Sequence, residues 1–258
     1  KPGDVAFYVS GRLRSLLQAE RILLNIMQRM SGVATQTAFY VKHLEGLKTK
    51  VLDTRKTTPG MRMLEKEAVK IGGGVNHRIG LFDMILLKDN HVDFCGGIRQ
   101  ALDRCAAYQK EKGLSLKVEI EVRTFDEIRQ VMEHGGADRI MLDNFSVEQT
   151  REAVRKIDGR VEIESSGGIT FDTIRDYAEC GVDFISIGAL THSVKGLDMS
   201  FKAAGSGLFS SFSVMRFCAC TCKAMESISS IIAQPRLFLV SLRFLLLFCN
   251  STHSDRLP

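Results

Sequence analysis

Apolar side chains at Leu16, Leu17, Leu23, Leu24, Ile26 and Met27 return every three to four positions. That spacing lines one face of a helix and predicts one over residues 15–30 that continues through 34–44. Farther along, the period changes to short apolar or alternating runs at residues 51–53, 84–87, 116–122, 139–142, 161–164 and 183–187, with helical stretches between them. A further strand is expected at 74–78, which makes seven. Strands that alternate with helices pair in parallel, and seven of them suit a closed or nearly closed α/β barrel better than an open sheet with a single nucleotide crevice. The fold class is therefore α/β.

Polar residues stand where these runs end: Asp53, Thr54, Arg55 and Lys56; His77 and Arg78; Lys88 to His91; Glu121; Asp143 and Asn144; Ser165 to Gly168; and Gly188. In an α/β barrel the strand ends share one face, and chemistry is assembled there. Arg55, Lys56, His77, Arg78 and Lys88 bring up to five cationic or ionisable groups to that face. Singly, each reads as an ordinary solvated loop residue. Together they point to a polyanionic ligand, and the mixture of Arg forks with Lys point charges suits one with more than one acidic group.

Glu119 and Glu121 are two apart on a strand and face the same side, with Asp143 at the end of the next strand. Glu121 and Asp143 are the candidates for Mg²⁺, which takes few protein ligands and keeps several waters. Glu119 is expected to pair with a Lys or Arg inside the barrel. Ser166, Gly167 and Gly168, followed by a helix expected over 171–180, offer backbone N–H groups to a phosphate. The turn at 188–192, with Gly188 and His192, follows the last strand, a frequent phosphate position in barrels.

Charge and cysteine usage narrow the picture. The net charge of +5 comes from interleaved basic and acidic residues, so no nucleic-acid stripe stands out. Seven cysteines, with Cys95, Cys105 and Cys180 scattered singly, argue against a disulfide framework and for a reducing compartment, the cytoplasm by default. Lys1-Pro2-Gly3 has neither the order of a signal peptide nor an initiator methionine, and reads as a chain entered partway through. Gly72-Gly73-Gly74 lacks the dinucleotide-binding spacing and reads as a flexible loop. His43 and His134 read as surface residues on helices.

From about Ala204 the sequence turns Ser-rich and Cys-rich with almost no acid, and no strand–helix pattern continues. Its apolar run at 237–248 is interrupted by Arg243 and is shorter than the ~20 residues that span a bilayer, so no membrane role is expected. Cys218, Cys220 and Cys222 match no paired zinc spacing.

Taken in order, the motifs form a series: Glu20 to Asn25, Asp53-Thr54-Arg55-Lys56-Thr57-Thr58-Pro59-Gly60, Asn76-His77-Arg78, Leu87-Lys88-Asp89-Asn90-His91, Met141-Leu142-Asp143-Asn144, Glu164-Ser165-Ser166-Gly167-Gly168 and Gly188-Ala189-Leu190-Thr191-His192. This series resembles that of the quinolinate phosphoribosyltransferase family over nearly all of residues 1–203. The resemblance implies a type II phosphoribosyltransferase of de novo NAD biosynthesis, with an incomplete seven-stranded α/β barrel and an N-terminal α/β sandwich that covers a partner subunit's site. A homodimer or higher homo-oligomer follows. It also implies a Mg²⁺-dependent reaction of quinolinate with phosphoribosyl pyrophosphate that yields nicotinate mononucleotide, pyrophosphate and CO₂.

Carried over by motif, Arg55, His77, Arg78 and Lys88 would surround the two quinolinate carboxylates, with Arg21 reaching in from the neighbouring subunit. Lys56 would lie near the pyrophosphate, and Glu121 and Asp143 would face the ribose hydroxyls and Mg²⁺. Ser166, Gly167, Gly168, Gly188 and His192 would hold the 5′-phosphate. The expected division is a sandwich remnant with its linking helix over 1–30, the barrel over 31–203, and an atypical tail over 204–258 that reads as a misread frame or unspliced sequence, disordered and without function. With most of the sandwich missing, the chain alone is expected to show little activity. The alternatives are a relative with another acidic substrate, such as those associated with molybdenum transport, or a non-catalytic fragment. The joint presence of Arg21, Arg55, Arg78 and Lys88 favours the dicarboxylate.

Overall fold

The computed structural model describes residues 4–203 and the backbone of residues 213–219. Its strands are β1 (Val5–Gly11), β2 (Lys50–Leu52), β3 (Ile85–Leu87), β4 (Val118–Val122), β5 (Arg139–Asp143), β6 (Glu162–Ser166), β7 (Phe184–Ser186), β8 (Met199–Ala203) and β9 (Ser213–Ala219). The helices are α1 (Leu13–His43), α2 (Arg62–Ile71), α3 (Asp89–Cys95), α4 (Ile98–Lys112), α5 (Phe125–His134), α6 (Val147–Ile157), α7 (Ile174–Glu179) and α8 (Ala189–His192). They divide into two compact units: Lys1–Ala38 with Met63–Gly73 and Ser193–Pro258, and Phe39–Arg62 with Gly74–His192.

The helical pattern at 15–44 is one uninterrupted helix of 31 residues. In the first unit its Leu24 and Met27 pack with Leu197 and Met199, and Ala6, Phe7, Val9, Leu23 and Phe201 close around them. Gln28 ties the helix to the chain entering β8: its carbonyl accepts the Leu197 N–H at 3.0 Å and its Nε2 donates to the Met199 carbonyl at 3.2 Å. Arg29 makes an ion pair of 2.8 Å with the fully buried Glu65. A burial this complete is tolerated because the carboxylate has that partner.

The sheet of this unit runs β1-β9-β8, antiparallel throughout. Part of the stretch from Ala204 onward, for which the sequence pattern predicted no element, is thus a strand held between two others. Its pairing with β1 joins residues about 200 positions apart, as in Tyr8 with Arg216, so nothing local announces it. The apolar run at 237–248, together with Cys220 and Cys222, lies outside the described residues.

The second unit holds six parallel strands in the order β2-β7-β6-β5-β4-β3. The strand expected at 74–78 is reduced to a single parallel bridge between Val75 and Leu52. Among the described residues no pairing joins Val75 to β3, so the barrel is incomplete and has a seam at this place. Along the paired strands one row is apolar: Val118, Ile120 and Val122, Ile140 and Leu142, Ile163, and Ile185 are all at most 4% exposed. Buried Ile128, Val131, Ala153, Ile157 and Ile174 supply the matching faces of α5, α6 and α7.

The helices start where local chemistry dictates. Thr124 caps α5 by accepting the Glu127 N–H, and Ser146 with Gln149 forms a capping box on α6. The other row of the strands is polar. The ladder aligns Glu119 with Arg139 and Glu162, Glu121 with Met141 and Glu164, and Asp143 with Ser166. Two-residue alternation therefore sorts the chain into an oily outer layer and a charged inner one.

Candidate active site

Every site residue singled out by sequence lies in the second unit except Arg21, whose side chain sits on α1 with 67% exposure and the Glu20 carboxylate at 3.9 Å. The cationic group is built around Arg78, which is buried. Burial, and after it the charge of Arg55, lower the pKa of its guanidinium, while Glu119 and Asp83 offset part of that. Two guanidiniums repelling each other are relieved by an anion bound between them, so this part of the site is electrostatically prepared for acid groups. Lys88 Nζ lies 3.4 Å from Glu121 Oε2 and is about half exposed. That contact is long for an ion pair, and both groups keep capacity for other partners.

The glycine turns form a second group. A Cβ on Gly188 would lie 3.0 Å from His192 Nε2 and 3.3 Å from Lys56 Cδ, so glycine lets these two side chains close over the turn. Thr191 Oγ1 donates to the Lys56 carbonyl at 2.8 Å and links the first and last strand ends. Ser186 Oγ donates to Ser166 Oγ at 3.0 Å, and the Asn144 N–H donates to the Ser166 carbonyl at 2.9 Å. Gly168 has open space where a Cβ would stand. The helix expected from 171 begins only at Ile174 and has six residues. Thr170 and Thr173 take up the intervening turn, so a loop rather than a helix terminus follows Gly167 and Gly168.

Gly167 has φ of 91°, and a Cβ there would run into the side-chain amide of Asn144, itself at φ of 56°. The left-handed backbone alone costs an alanine about 1–2 kcal/mol. Gly167→Ala is expected to lower the melting temperature by roughly 3 °C or more and to weaken inorganic phosphate binding. Equal melting curves for the two proteins would show that the turn can relax.

Acidic groups fall into two sets. Glu121 is 8% exposed and faces Lys88, and Asp143 Oδ2 accepts from Asn144 Nδ2 at 2.9 Å. Carboxylate oxygens of this kind are the donor type that Mg²⁺ uses. The second set is His77, Glu119 and Glu164, whose ligand atoms all lie within 4.8 Å of one another. It does not suit a hard cation. Arg139 Nη1 already donates to Glu164 Oε2 at 3.1 Å, and Arg78 and Arg139 add positive charge around Glu119.

Glu119 was expected to pair with a Lys or Arg; the charges of Arg139 and Arg78 do act favourably on it, and the His77 ring also stands beside it, with Nε2 at 3.0 Å from Oε2. His77 itself, expected among the carboxylate ligands, is 8% exposed, and its Nδ1 accepts the Arg78 N–H at 2.7 Å. One ring nitrogen is thus hydrogen-bonded, and the other lies beside the Glu119 carboxylate. Burial first, and then the Glu119 carboxylate, push the Glu164 carboxyl up to about 8, against smaller opposing effects of His77, Ser186 and Arg139. Sequence reasoning gave no role to Glu164, Arg139 or Asp53. A usable signal was present, since charges at alternate positions of otherwise apolar strands are kept only when paired.

The described strands make an incomplete parallel α/β barrel, with Arg55 and Arg78 after its early strands and glycine turns after its last ones. The sequence pattern of the family described as quinolinate phosphoribosyl transferase, C-terminal domain, matches residues 33–202, and the chain belongs to that family. It is similar to the chloroplastic nicotinate-nucleotide pyrophosphorylase [carboxylating] of Arabidopsis thaliana, with 46% identity over 208 residues, 75% of this chain and 59% of that protein. A probable nicotinate-nucleotide pyrophosphorylase [carboxylating] of Bacillus subtilis is 43% identical over 77% of this chain and 67% of its own length. Among solved structures, NadC from Streptococcus pyogenes superposes with a TM-score of 0.69 at 41% identity, covering 82% of this chain and 68% of that one. The chain thus spans 59% of the length of the Arabidopsis relative.

Proposed function

We propose that this chain carries the reaction centre for phosphoribosyl transfer from phosphoribosyl pyrophosphate to quinolinate with decarboxylation, giving nicotinate mononucleotide, pyrophosphate and CO₂. The observation that carries the reading is the buried Arg78, whose pKa is lowered first by burial and then by the charge of Arg55, a repulsion that a vicinal dicarboxylate relieves better than a single acid. Lys88 completes the grip. Arg21, exposed on α1, is the residue offered to a neighbouring copy in a homodimer or higher homo-oligomer.

Lys56 and His192, packed against Gly188, take phosphate oxygens, together with the loop N–H groups of Ser166, Gly167 and Gly168. Glu121 and Asp143 face the ribose hydroxyls and would hold Mg²⁺. The bound metal would neutralise charge on the departing pyrophosphate. As the C1′–O bond to pyrophosphate breaks, positive charge grows on the ribose, and the carboxylates of Glu121 and Asp143 stabilise it. The quinolinate nitrogen, aligned by its two carboxylates, donates its electron pair to C1′. The resulting pyridinium accepts the electrons released when the carboxylate next to nitrogen leaves as CO₂, and a proton replaces it on carbon.

Cys95, Cys105 and Cys180 are free thiols, which favours a reducing compartment such as the cytoplasm. Among the described residues no helix is long and apolar enough to cross a membrane.

The test is thermal unfolding of the chain with quinolinate and with nicotinate, followed by CO₂ release in the presence of phosphoribosyl pyrophosphate. Ligand that binds only the folded state raises the melting temperature by mass action. Quinolinate is expected to raise it and nicotinate, with one carboxylate, is not. Equal shifts, or none with quinolinate at millimolar concentration, would remove the dicarboxylate reading in favour of another acidic substrate.

A further inference from the structure

Pairing of β2 with the segment that follows α2 ends at the bridge between Leu52 and Val75. There the Val75 N–H donates to the Val51 carbonyl at 2.8 Å, and the Asp53 N–H to the Val75 carbonyl at 3.3 Å. Beyond the bridge one segment carries Arg55 and the other Arg78. Arg62, the first residue of α2, reaches both with a single guanidinium. Its Nη2 donates to the Arg55 carbonyl at 3.4 Å and its Nε to Thr57 Oγ1 at 3.1 Å. Its Nη1 donates to the Ile79 carbonyl at 3.1 Å, one residue past Arg78. The Thr57 N–H turns back onto the same Arg55 carbonyl at 2.9 Å. A planar fork fixes the directions of its donors, so three bonds of this kind set a separation as well as a contact.

We propose that Arg62 is a positioning residue that sets the distance between the Arg55 and Arg78 forks, and through it the selectivity for two carboxylates on adjacent ring atoms. The proposal rests on the reading that these two arginines grip quinolinate. All three guanidinium nitrogens of Arg62 donate to protein oxygens, so its action runs through the two segments. A ligand held by two forks binds more tightly when both already stand in place, because less is left to order on binding. With the spacing released, each fork still takes one carboxylate, but taking both at once requires the segments to be ordered first. A dicarboxylate whose groups stand farther apart engages one fork only and has little to lose.

Calorimetry on the full chain compares quinolinate with pyridine-2,4-dicarboxylate. Arg62→Met is expected to weaken quinolinate at least tenfold and the 2,4-isomer no more than threefold, so that the preference between them falls. A general loosening of the site would weaken both alike and leave the preference where it was. Arg62→Lys keeps the charge but not the fork and should behave like Arg62→Met. Thr57→Val removes one of the three acceptors and should move the preference the same way by a smaller factor. In the free chain, amide exchange at residues 55–58 and at residues 78–80 should quicken together at least fivefold in Arg62→Met, with β5 and β6 unchanged.

An unchanged preference, a full recovery in Arg62→Lys, or exchange that quickens in only one of the two segments or in neither overturns the proposal. If the wild-type chain binds neither dicarboxylate, the substrate reading fails, and the exchange of the two segments still decides whether Arg62 holds them together. If Arg62→Met does not fold, Thr57→Val decides by the same comparisons.

Discussion

Arg78→Ala is expected to weaken quinolinate binding by about 2–5 kcal/mol, the range for removing one partner of a buried, hydrogen-bonded charge pair. At 1.4 kcal/mol per decade this is roughly a thirtyfold to several-thousandfold rise in the dissociation constant. The size follows from position. Arg78 is 7% exposed, so a ligand carboxylate left beside the cavity would have little water to replace the lost fork. Removing Arg78 also relieves the repulsion that Arg55 exerts, which moderates the loss and makes the lower end of the range the better estimate. Calorimetry with quinolinate on the wild-type and variant chains measures it. An unchanged dissociation constant would take Arg78 out of the binding site.

The second large effect concerns pH and stability. The Glu164 carboxyl titrates near 8 in the folded chain against an ordinary value of 4.5. A raised acid favours the folded state fully below the unfolded value, and that contribution is lost as pH rises through the folded one. The window is therefore about pH 4.5 to 8, with each unit worth about 1.4 kcal/mol. Glu164→Gln imitates the protonated carboxyl at every pH: its amide oxygen can accept from Arg139 as the carboxyl does at 3.1 Å, and its NH₂ can donate toward Glu119. Urea unfolding at pH 5 and pH 7.5 should show the variant gaining a few kcal/mol over the wild type between the two. Parallel pH profiles would mean that Glu164 is ionised throughout and balanced by Arg139.

Much of this architecture was legible in the sequence because two physical periods differ. The three-to-four spacing of Leu16, Leu23, Leu24 and Met27 announces α1, and the rows Val118, Ile120, Val122 and Ile140, Leu142 announce strands buried under helices. Residues 74–78 misled for a physical reason. They stand where the strand–helix series calls for a strand, but a strand also needs a partner, and among the described residues only the bridge to Leu52 supplies one. β9 was illegible for the opposite reason, since its partners β1 and β8 are remote in sequence and its pattern is a short apolar run without a clear period. At the site, motif order located Arg55, Arg78, Lys88 and the glycine turns. It could not say which way the His77 ring turns, because that depends on a hydrogen bond from the next residue's backbone.

The seam also bears on how a barrel of this kind can change its substrate. A residue inserted into a paired strand shifts every following side chain to the opposite face, and here that would exchange the charged inner row for the oily outer one. Between Val75 and β3 no ladder exists to be shifted. The loop there is closed on itself: the Ile79 and Gly80 N–H groups both donate to the Asp83 carboxylate, at 2.7 and 2.9 Å. Lengthening or resculpting residues 79–84 leaves the register of all six strands intact while redrawing the wall beside Arg78. Descendants of this fold that accept acids of other shapes should therefore differ most in this one segment and least in the strands that flank it.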